Sequence, residues 1–213
     1  MMEQNVPQQE LQELENLEEF QEEEKLEECR LCSEEIFDGK ILHVFKDTVR
    51  LPDGAEGTRE YLRHVGAVCV LPLLDDGCAL MERQYRYPVG QVLTEIPAGK
   101  LNDKSEDHLL AAQRELCEET GAVADKWTSL GIFYPACAYS DEAIEMYLAE
   151  NIHFTNRHLD SDEFLNVTRI PLDELAQDVM DGKIPDAKTQ IAVLKAYLLK
   201  NAQTGAAVPR TSV

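Results

Sequence analysis

The sequence contains few basic residues and a large excess of acidic ones. Of its 213 residues, 20 are lysine or arginine and 41 are aspartate or glutamate, which gives a formal net charge of −21 at pH 7. Nucleic acids and anionic membranes attract basic protein surfaces, so neither is expected as a partner. An acidic protein can still bind an anionic substrate when divalent cations lie between the two.

The sequence also lacks a long hydrophobic run. Its longest apolar stretch, residues 65–74, includes Pro72 and is about half as long as a membrane-spanning helix of ~20 residues. The first ten residues show no basic segment followed by an apolar core, so we expect no signal peptide. We therefore expect no membrane association and a cytoplasmic protein whose six cysteines are reduced.

Negative charge is concentrated at the N-terminus. Residues 1–29 contain eleven glutamates and one lysine, with leucines at roughly helical spacing. This composition predicts an acidic tail over residues 1–32 that is disordered or partly helical, and a short coiled coil or partner-binding helix is the alternative. Residues 201–213 are predicted to form a flexible C-terminal tail.

Between the tails, strand and helix patterns alternate. Residues 33–63, with a turn at Pro52-Asp53-Gly54, predict an antiparallel β region, and a second region covers residues 64–200. The two closing helices are predicted at residues 172–181 and 186–200. Strands on both sides of the helices, mostly linked by hairpins, indicate an α/β (α+β-like) fold with a mixed β-sheet sandwiched between helices.

The densest group of charged side chains lies on a predicted helix between Ser105, its expected N-cap, and Gly121, where it ends. Glu115, Glu118 and Glu119 recur at helical spacing, so their carboxylates share a face and repel each other by a few tenths of a kcal/mol per pair, roughly. Bound Mg²⁺ or Mn²⁺ would relieve this repulsion. From the spacing alone, an ordinary solvated helix face is the alternative.

The residue order resembles a known motif. Glu106-x7-Arg114-Glu115-Leu116-x-Glu118-Glu119-x-Gly121-Ala122 is similar to the Nudix box, the signature of a family of nucleoside diphosphate hydrolases. The family pattern is G-x5-E-x7-R-E-U-x-E-E-x-G-U, with U aliphatic. Here six residues, not five, separate Gly99 from Glu106, so the loop carries one extra residue. The resemblance implies a Nudix fold and favours the metal site over the solvated face.

The similarity extends over about residues 33–200. The segments Arg83-Gln84-Tyr85-Arg86, Glu95-Ile96-Pro97-Ala98-Gly99-Lys100-Leu101 and Ser140-Asp141-Glu142 resemble the ADP-ribose pyrophosphatase branch. This implies hydrolysis of ADP-ribose to AMP and ribose 5-phosphate by water attack. One segment departs from the branch, which usually has Ser-Pro-Gly where this chain has Ala136-Cys137-Ala138. Because that proline is commonly taken as the mark of ADP-ribose specificity, another substrate such as a GDP- or UDP-sugar remains an alternative. A non-catalytic Nudix-like nucleotide sensor is a further one.

The resemblance also implies roles for individual residues. A glutamate in the late acidic loop, Glu163 with Asp162 as the alternative, would act as the base, and Arg114 would orient a carboxylate. For Arg59 a surface salt bridge is the alternative to substrate binding, and Glu95 is expected to accept hydrogen bonds from a ribose or an arginine. Catalytic roles are expected for Arg114, Glu118 and Glu163, substrate contacts for Arg59, Arg86, Glu95 and Ala98, and metal contacts for Ala98 (through its carbonyl), Glu115, Glu118 and Glu119.

The same branch commonly swaps its N-terminal strands across a homodimer, so that they help to form the partner's site. Residues 37–63 match those strands in position. The resemblance therefore implies a homodimer, with a nucleoside diphosphate sugar as the substrate.

Overall fold

The computed structural model of the protein describes residues 26–158 and 164–204. The chain divides into two compact units. The first ends at Arg63 and also includes Ala138–Ser140, and the second comprises His64–Cys137 and continues from Asp141. Among the described residues, no helix has the length and apolar character needed to cross a bilayer.

The first unit contains an antiparallel sheet of three strands in the order β1-β2-β3. The strands are β1 (Cys29–Asp38), β2 (His43–Arg50) and β3 (Glu56–Arg63). Strand β1 begins inside the segment predicted as a tail, and this corrects the boundary at residue 32. All ten residues of β1 are exposed, so the strand lacks the alternation of buried apolar and exposed polar residues that predicts a strand from sequence. Its main-chain pairing with β2 holds it in place.

The second unit contains two sheets. A mixed sheet has the order β7-β4-β9-β8, in which β4 and β9 are parallel and the other neighbours antiparallel, and an antiparallel sheet has the order β10-β5-β6. The strands are β4 (Ala67–Pro72), β5 (Cys78–Arg86), β6 (Gln91–Glu95), β7 (Ala98–Lys100), β8 (Ala122–Phe133), β9 (Ile144–Phe154) and β10 (Leu165–Pro171).

Helices cover both faces of the mixed sheet. They are α1 (His108–Thr120), α2 (Leu172–Met180) and α3 (Ala187–Thr204). Every residue of β4 is buried: Val68 and Val70 pack in the core with α1, whereas Cys69 and Leu71 pack in the core with α2 and α3. This arrangement confirms the predicted α/β (α+β-like) fold with a mixed sheet between helices.

Two helix boundaries differ from the prediction. Helix α1 is capped by Asp107, whose carboxylate accepts a hydrogen bond from Leu110 N at 3.0 Å, and not by Ser105. The Ser105 amide and hydroxyl instead donate to Asp103, which removes Ser105 from the helix terminus. Helix α3 extends to Thr204, past the predicted tail boundary, because no glycine or proline interrupts the sequence before Gly205.

Candidate active site

Strand β7 brings its main chain against the acidic face of α1. The amide of Ala98 donates to Oε2 of Glu119 at 3.0 Å. At Gly99, an added Cβ would lie 2.0 Å from Cδ of Glu115, so the Glu115 carboxylate occupies the space of a side chain at that position. The structure thus brings Ala98, Glu115 and Glu119 together, with the Ala98 amide as the observed contact.

Arg114 lies at the centre of the charged cluster. Its Nη1 donates to Oε1 of Glu115 at 2.7 Å and to Oε2 of Glu118 at 3.2 Å. Its Nη2 lies 3.4 Å from both the Lys100 carbonyl and Oε1 of Glu106. Burial acts to lower the pKa of Arg114, but the neighbouring carboxylates, Glu115 first, raise it above its usual value. A permanently charged guanidinium therefore holds three carboxylates in fixed positions.

The extra residue before Glu106 is accommodated in a tight turn. Oε1 and Oε2 of Glu106 accept hydrogen bonds from the side chain and the amide of Asn102, and Asp103 accepts from the Ser105 amide at 2.7 Å. The bonds from Asn102 hold the pKa of Glu106 below its usual value. Glu106 still reaches Arg114, so the insertion leaves the cluster intact.

A second charged group surrounds Glu95. Nε and Nη2 of Arg86 donate to its two carboxylate oxygens at 2.8 and 2.9 Å, and Lys188 donates to its Oε2. Glu95 is 2% exposed. Burial acts to raise the pKa of Glu95, but the bonds from Arg86 and Lys188 outweigh it and the pKa lies below its usual value. The expectation that Glu95 accepts bonds from an arginine matches this geometry.

A cleft of about 300 Å³ lies beside both groups. Its lining includes residues 98–100 together with Arg86, Asp186 and Lys188. The walls are completed by Ala67, Val68, Phe133, Pro135, Glu142, Ile144 and Ala187. A larger cavity of about 480 Å³, near residues 73–77, contains none of the predicted site residues in its lining.

Arg59 and Glu163 are the two predicted site residues not included in the contacts described so far. Arg59 lies on β3 in the first unit, where its guanidinium pairs with Glu28 and donates to the Thr58 carbonyl at 2.9 Å. This is the salt bridge that was the alternative for Arg59. Glu163 and its alternative Asp162 lie outside the described residues.

Sequence reasoning missed Lys188. The segment Asp186-Ala187-Lys188-Thr189 carries a capping aspartate, since Oδ2 of Asp186 accepts from the Thr189 amide at 2.9 Å. A lysine in the first turn of a helix is unfavourable next to the helix dipole, and that is a signal that it pairs with an acidic group. Its partner Glu95 is 93 residues away in sequence, so the pairing itself becomes visible only in the fold.

The donor set beside α1 fits a divalent cation. Glu115 and Glu119 are 9% and 4% exposed, and both project from one helix face toward the main chain of β7. A shared cation stabilises two largely buried carboxylates on one helix face, and carboxylate oxygens are the ligands that hard divalent ions prefer.

Comparison with known families agrees with this geometry. Residues 62–191 match the NUDIX domain, and residues 30–62 match the nucleoside diphosphate sugar hydrolase N-terminal domain. The chain belongs to the Nudix family and is a Nudix hydrolase, a class of enzymes that generally uses divalent metal ions.

Individual relatives cover most of the chain. ADP-ribose pyrophosphatase of Bacillus subtilis is 39% identical over 79% of this chain and 91% of its own length, and that of Mycobacterium tuberculosis is 35% identical over 84% and 86%. A methanol dehydrogenase activator of Bacillus methanolicus is 38% identical over 78% and 91%. The crystal structure of an ADP compounds hydrolase shares the fold, with a TM-score of 0.75, 21% identity and coverage of 84% of this chain and 97% of that one.

Proposed function

We propose that this protein hydrolyses the diphosphate of ADP-ribose to AMP and ribose 5-phosphate by attack of water. The observation that carries the proposal is the pairing of a carboxylate cluster centred on Arg114 with a cleft that presents Arg86. The first group suits divalent cations and the second suits phosphate oxygens. The two ADP-ribose pyrophosphatases among the relatives support the choice of substrate.

In this proposal Glu115, Glu118 and Glu119, with the carbonyl of Ala98, hold Mg²⁺ or Mn²⁺. The bound ions would supply the charge that neutralises the diphosphate. Arg114 keeps the carboxylates in position, because its hydrogen bonds fix Glu115 and Glu118 relative to each other. This arrangement supports a catalytic role for Glu118 and for Arg114.

Arg86 and Glu95 form the proposed substrate-binding pair, and Ala98, which also lines the cleft, is a further proposed substrate contact. The two bonds to Glu95 engage Nε and Nη2 of Arg86, so its other terminal nitrogen remains for a phosphate oxygen. Glu163, or Asp162, is the proposed base that activates water once substrate is bound.

We also infer a homodimer and a cytoplasmic location. Ile36 and Phe37, on strand β1 of the first unit, are 53% and 55% exposed, and apolar side chains on an exposed strand favour burial by a second copy. In such a dimer Arg59 would contact substrate. The cysteines are all free, as expected in a reducing compartment.

Another nucleoside diphosphate sugar remains the alternative substrate. Cys137, which stands where the branch usually has proline, is exposed. The name of the matched N-terminal domain refers to nucleoside diphosphate sugars in general.

Hydrolysis of a nucleotide-sugar panel with Mg²⁺, measured by coupled phosphate release, tests the proposal. ADP-ribose should be the best substrate, and Glu119→Gln should lose activity by at least about 100-fold. Faster turnover of a GDP- or UDP-sugar than of ADP-ribose would change the proposed substrate but not the proposed mechanism. No turnover of any panel member would exclude the proposed activity. Light scattering measures the dimer, which should persist when residues 1–25 are deleted.

A further inference from the structure

Lys188 is a largely buried lysine. Only 12% of its side chain is exposed, and its Nζ contacts two carboxylates. It donates to Oε2 of Glu95 and lies 3.1 Å from Oδ2 of Asp186. The side chains of these two partners are 3% and 17% exposed. A lysine gives up this much water only when it is paired. The ammonium group of Lys188 therefore bridges the carboxylates of Glu95 and Asp186.

The position of Lys188 is fixed by the start of α3. Asp186 also accepts from the Thr189 hydroxyl at 2.6 Å, and that hydroxyl accepts from the amide of Ile96 at 3.0 Å. Ile96 directly follows Glu95, so the same helix terminus holds both ends of the Glu95–Lys188 contact. Lys188 is therefore held in place by the fold and does not have to be ordered by substrate.

The charges at this end of the cleft balance only when Lys188 is present. Arg86 and Lys188 carry two positive charges, and Glu95 and Asp186 carry two negative ones. The other charged residues of the lining, Lys100 and Glu142, are themselves of opposite sign. Loss of Lys188 alone would leave a net negative charge facing an anionic diphosphate, and like charges at this range repel strongly in a partly buried site.

Arg86 and Lys188 differ in access to solvent. The side chain of Arg86 is 41% exposed, against 12% for Lys188. The guanidinium can therefore contact a ligand in the cleft, whereas the ammonium group is engaged by two carboxylates.

We propose that Lys188 is a positioning residue of the hydrolase: by bridging Glu95 and Asp186 it cancels their charge and leaves Arg86 available to the substrate diphosphate. This inference rests on the proposed function, because it assumes that a diphosphate binds in this cleft. Lys188 acts through Arg86 and Glu95, not by contact with the substrate.

Four variants test the inference. Lys188→Met removes the positive charge at position 188, and Lys188→Arg keeps it. The double variant, Lys188→Met with Asp186→Asn, restores the charge balance of the group without a cation at position 188. Asparagine caps a helix as well as aspartate, so the double variant retains the start of α3. Lys183→Met is the matched control, since Lys183 also pairs with two carboxylates, Asp178 and Asp181, but is 61% exposed and outside the cleft lining.

The probe is methylenediphosphonate with Mg²⁺, a non-hydrolysable diphosphate without nucleoside or sugar, titrated by calorimetry. Kinetics with the best substrate of the panel and thermal unfolding of each variant accompany it. Lys188→Met should weaken binding at least about tenfold and should raise KM more than it lowers kcat. Lys188→Arg should stay within about threefold of the natural chain, the double variant should recover most of the loss, and Lys183→Met should change neither value.

Several results would overturn the inference. They are binding by Lys188→Met within about twofold of the natural chain, no recovery in the double variant, and no diphosphonate binding by the natural chain. If Lys188→Met does not fold, diphosphonate binding by Lys188→Arg and by the double variant tests the inference. The outcomes for the proposed function are separate: diphosphonate binding with the expected pattern but no ADP-ribose hydrolysis would reject the function and keep the role of Lys188.

Discussion

Gly99 and Glu115 lie so close together that a Cβ on residue 99 would be 2.0 Å from Cδ of Glu115. The backbone of Gly99 is not in the left-handed region, so glycine is required here for space and not for conformation. The main chain of β7 and the acidic face of α1 therefore leave no room for a side chain at residue 99.

Gly99→Ala should displace the Glu115 carboxylate or the β7 strand. A shift of about 1 Å in a catalytic group costs about 100-fold in rate, so kcat/KM should fall by at least that factor. Overpacking should lower the free energy of unfolding by about 1–3 kcal/mol. Steady-state kinetics and urea unfolding measure the two effects.

Gly57→Ala is the matched control. A Cβ at Gly57 in strand β3 would lie 3.3 Å from a terminal carbon of the Leu51 side chain, which can move. Its kcat/KM should change by less than about twofold, because the Leu51 side chain can move aside and the contact between Gly99 and Glu115 is unchanged. Natural activity in Gly99→Ala would show that Glu115 does not need its observed position.

Arg114→Lys should lower kcat by about 10- to 100-fold. A lysine presents one point charge, whereas the two terminal nitrogens of Arg114 together reach Glu115, Glu118 and Glu106. The Mg²⁺ concentration for half-maximal activity should rise as the carboxylates lose their fixed spacing. Kinetics over a Mg²⁺ titration check both values.

Arg169→Lys is the comparison for Arg114→Lys. Arg169 pairs with Asp76 at 3.6 Å, and both side chains are more than half exposed. The same substitution should therefore change neither kcat nor the Mg²⁺ dependence. A similar loss in both variants would mean that the effect on Arg114 is not specific to the acidic cluster.

The parts of the structure that follow a local pattern are predictable from sequence. The apolar run around β4 gives a strand buried on both faces, and the spacing of Glu115, Glu118 and Glu119 places their carboxylates on one face of α1. Each of these depends only on periodicity and side-chain type, so neighbours in sequence suffice to reveal it.

The features that the sequence did not reveal depend on competition between nearby residues or on contacts between residues far apart in the sequence. Ser105 and Asp107 are both good N-caps, and the choice between them was decided by Asp103, which binds the Ser105 amide. Strand β1 is exposed throughout, so only pairing with β2 identifies it. The Lys188–Glu95 contact joins residues 93 positions apart, which no local pattern encodes.

Glu95→Gln should destabilise the protein in a pH-dependent way. Glu95 is buried and ionised between Arg86 and Lys188. Removing the charged partner from a buried ion pair lowers the free energy of unfolding by about 3–5 kcal/mol at neutral pH. The pKa of Glu95 in the folded protein lies below 4.5, the value expected of an unperturbed glutamate. Its contribution to stability is therefore fully present above pH 4.5 and is lost as the pH falls through the folded-state pKa.

Urea unfolding of the natural chain and Glu95→Gln between pH 7 and pH 3 measures this difference. The gap between the two free energies of unfolding should be constant down to about pH 4.5 and should shrink below it. Glu60→Gln, at an exposed residue that lies 3.9 Å from Lys46, should follow the natural chain at every pH. A gap that grew on acidification would have the wrong sign for a carboxylate stabilised in its ionised form.

Divalent metal should stabilise the protein through the α1 carboxylates. At a Mg²⁺ concentration of about 100 times Kd, binding to the folded state adds about 2.7 kcal/mol, which is roughly 5–10 °C in Tm for a chain of this size. Chelation should reverse the shift. Glu119→Gln should lose most of it, because one ligand oxygen is replaced by an amide.

Without metal, Glu119→Gln should be nearly as stable as the natural chain. The glutamine oxygen can still accept the bond from the Ala98 amide, and the substitution removes repulsion between Glu119 and Glu115. Glu174→Gln, on α2 and away from the cleft lining, should keep the full Mg²⁺ response. Thermal unfolding with and without chelator isolates the contribution of the Glu119 carboxylate to the Mg²⁺-dependent rise in Tm. An equal rise in Glu119→Gln and in the natural chain would mean that the stabilising metal binds elsewhere.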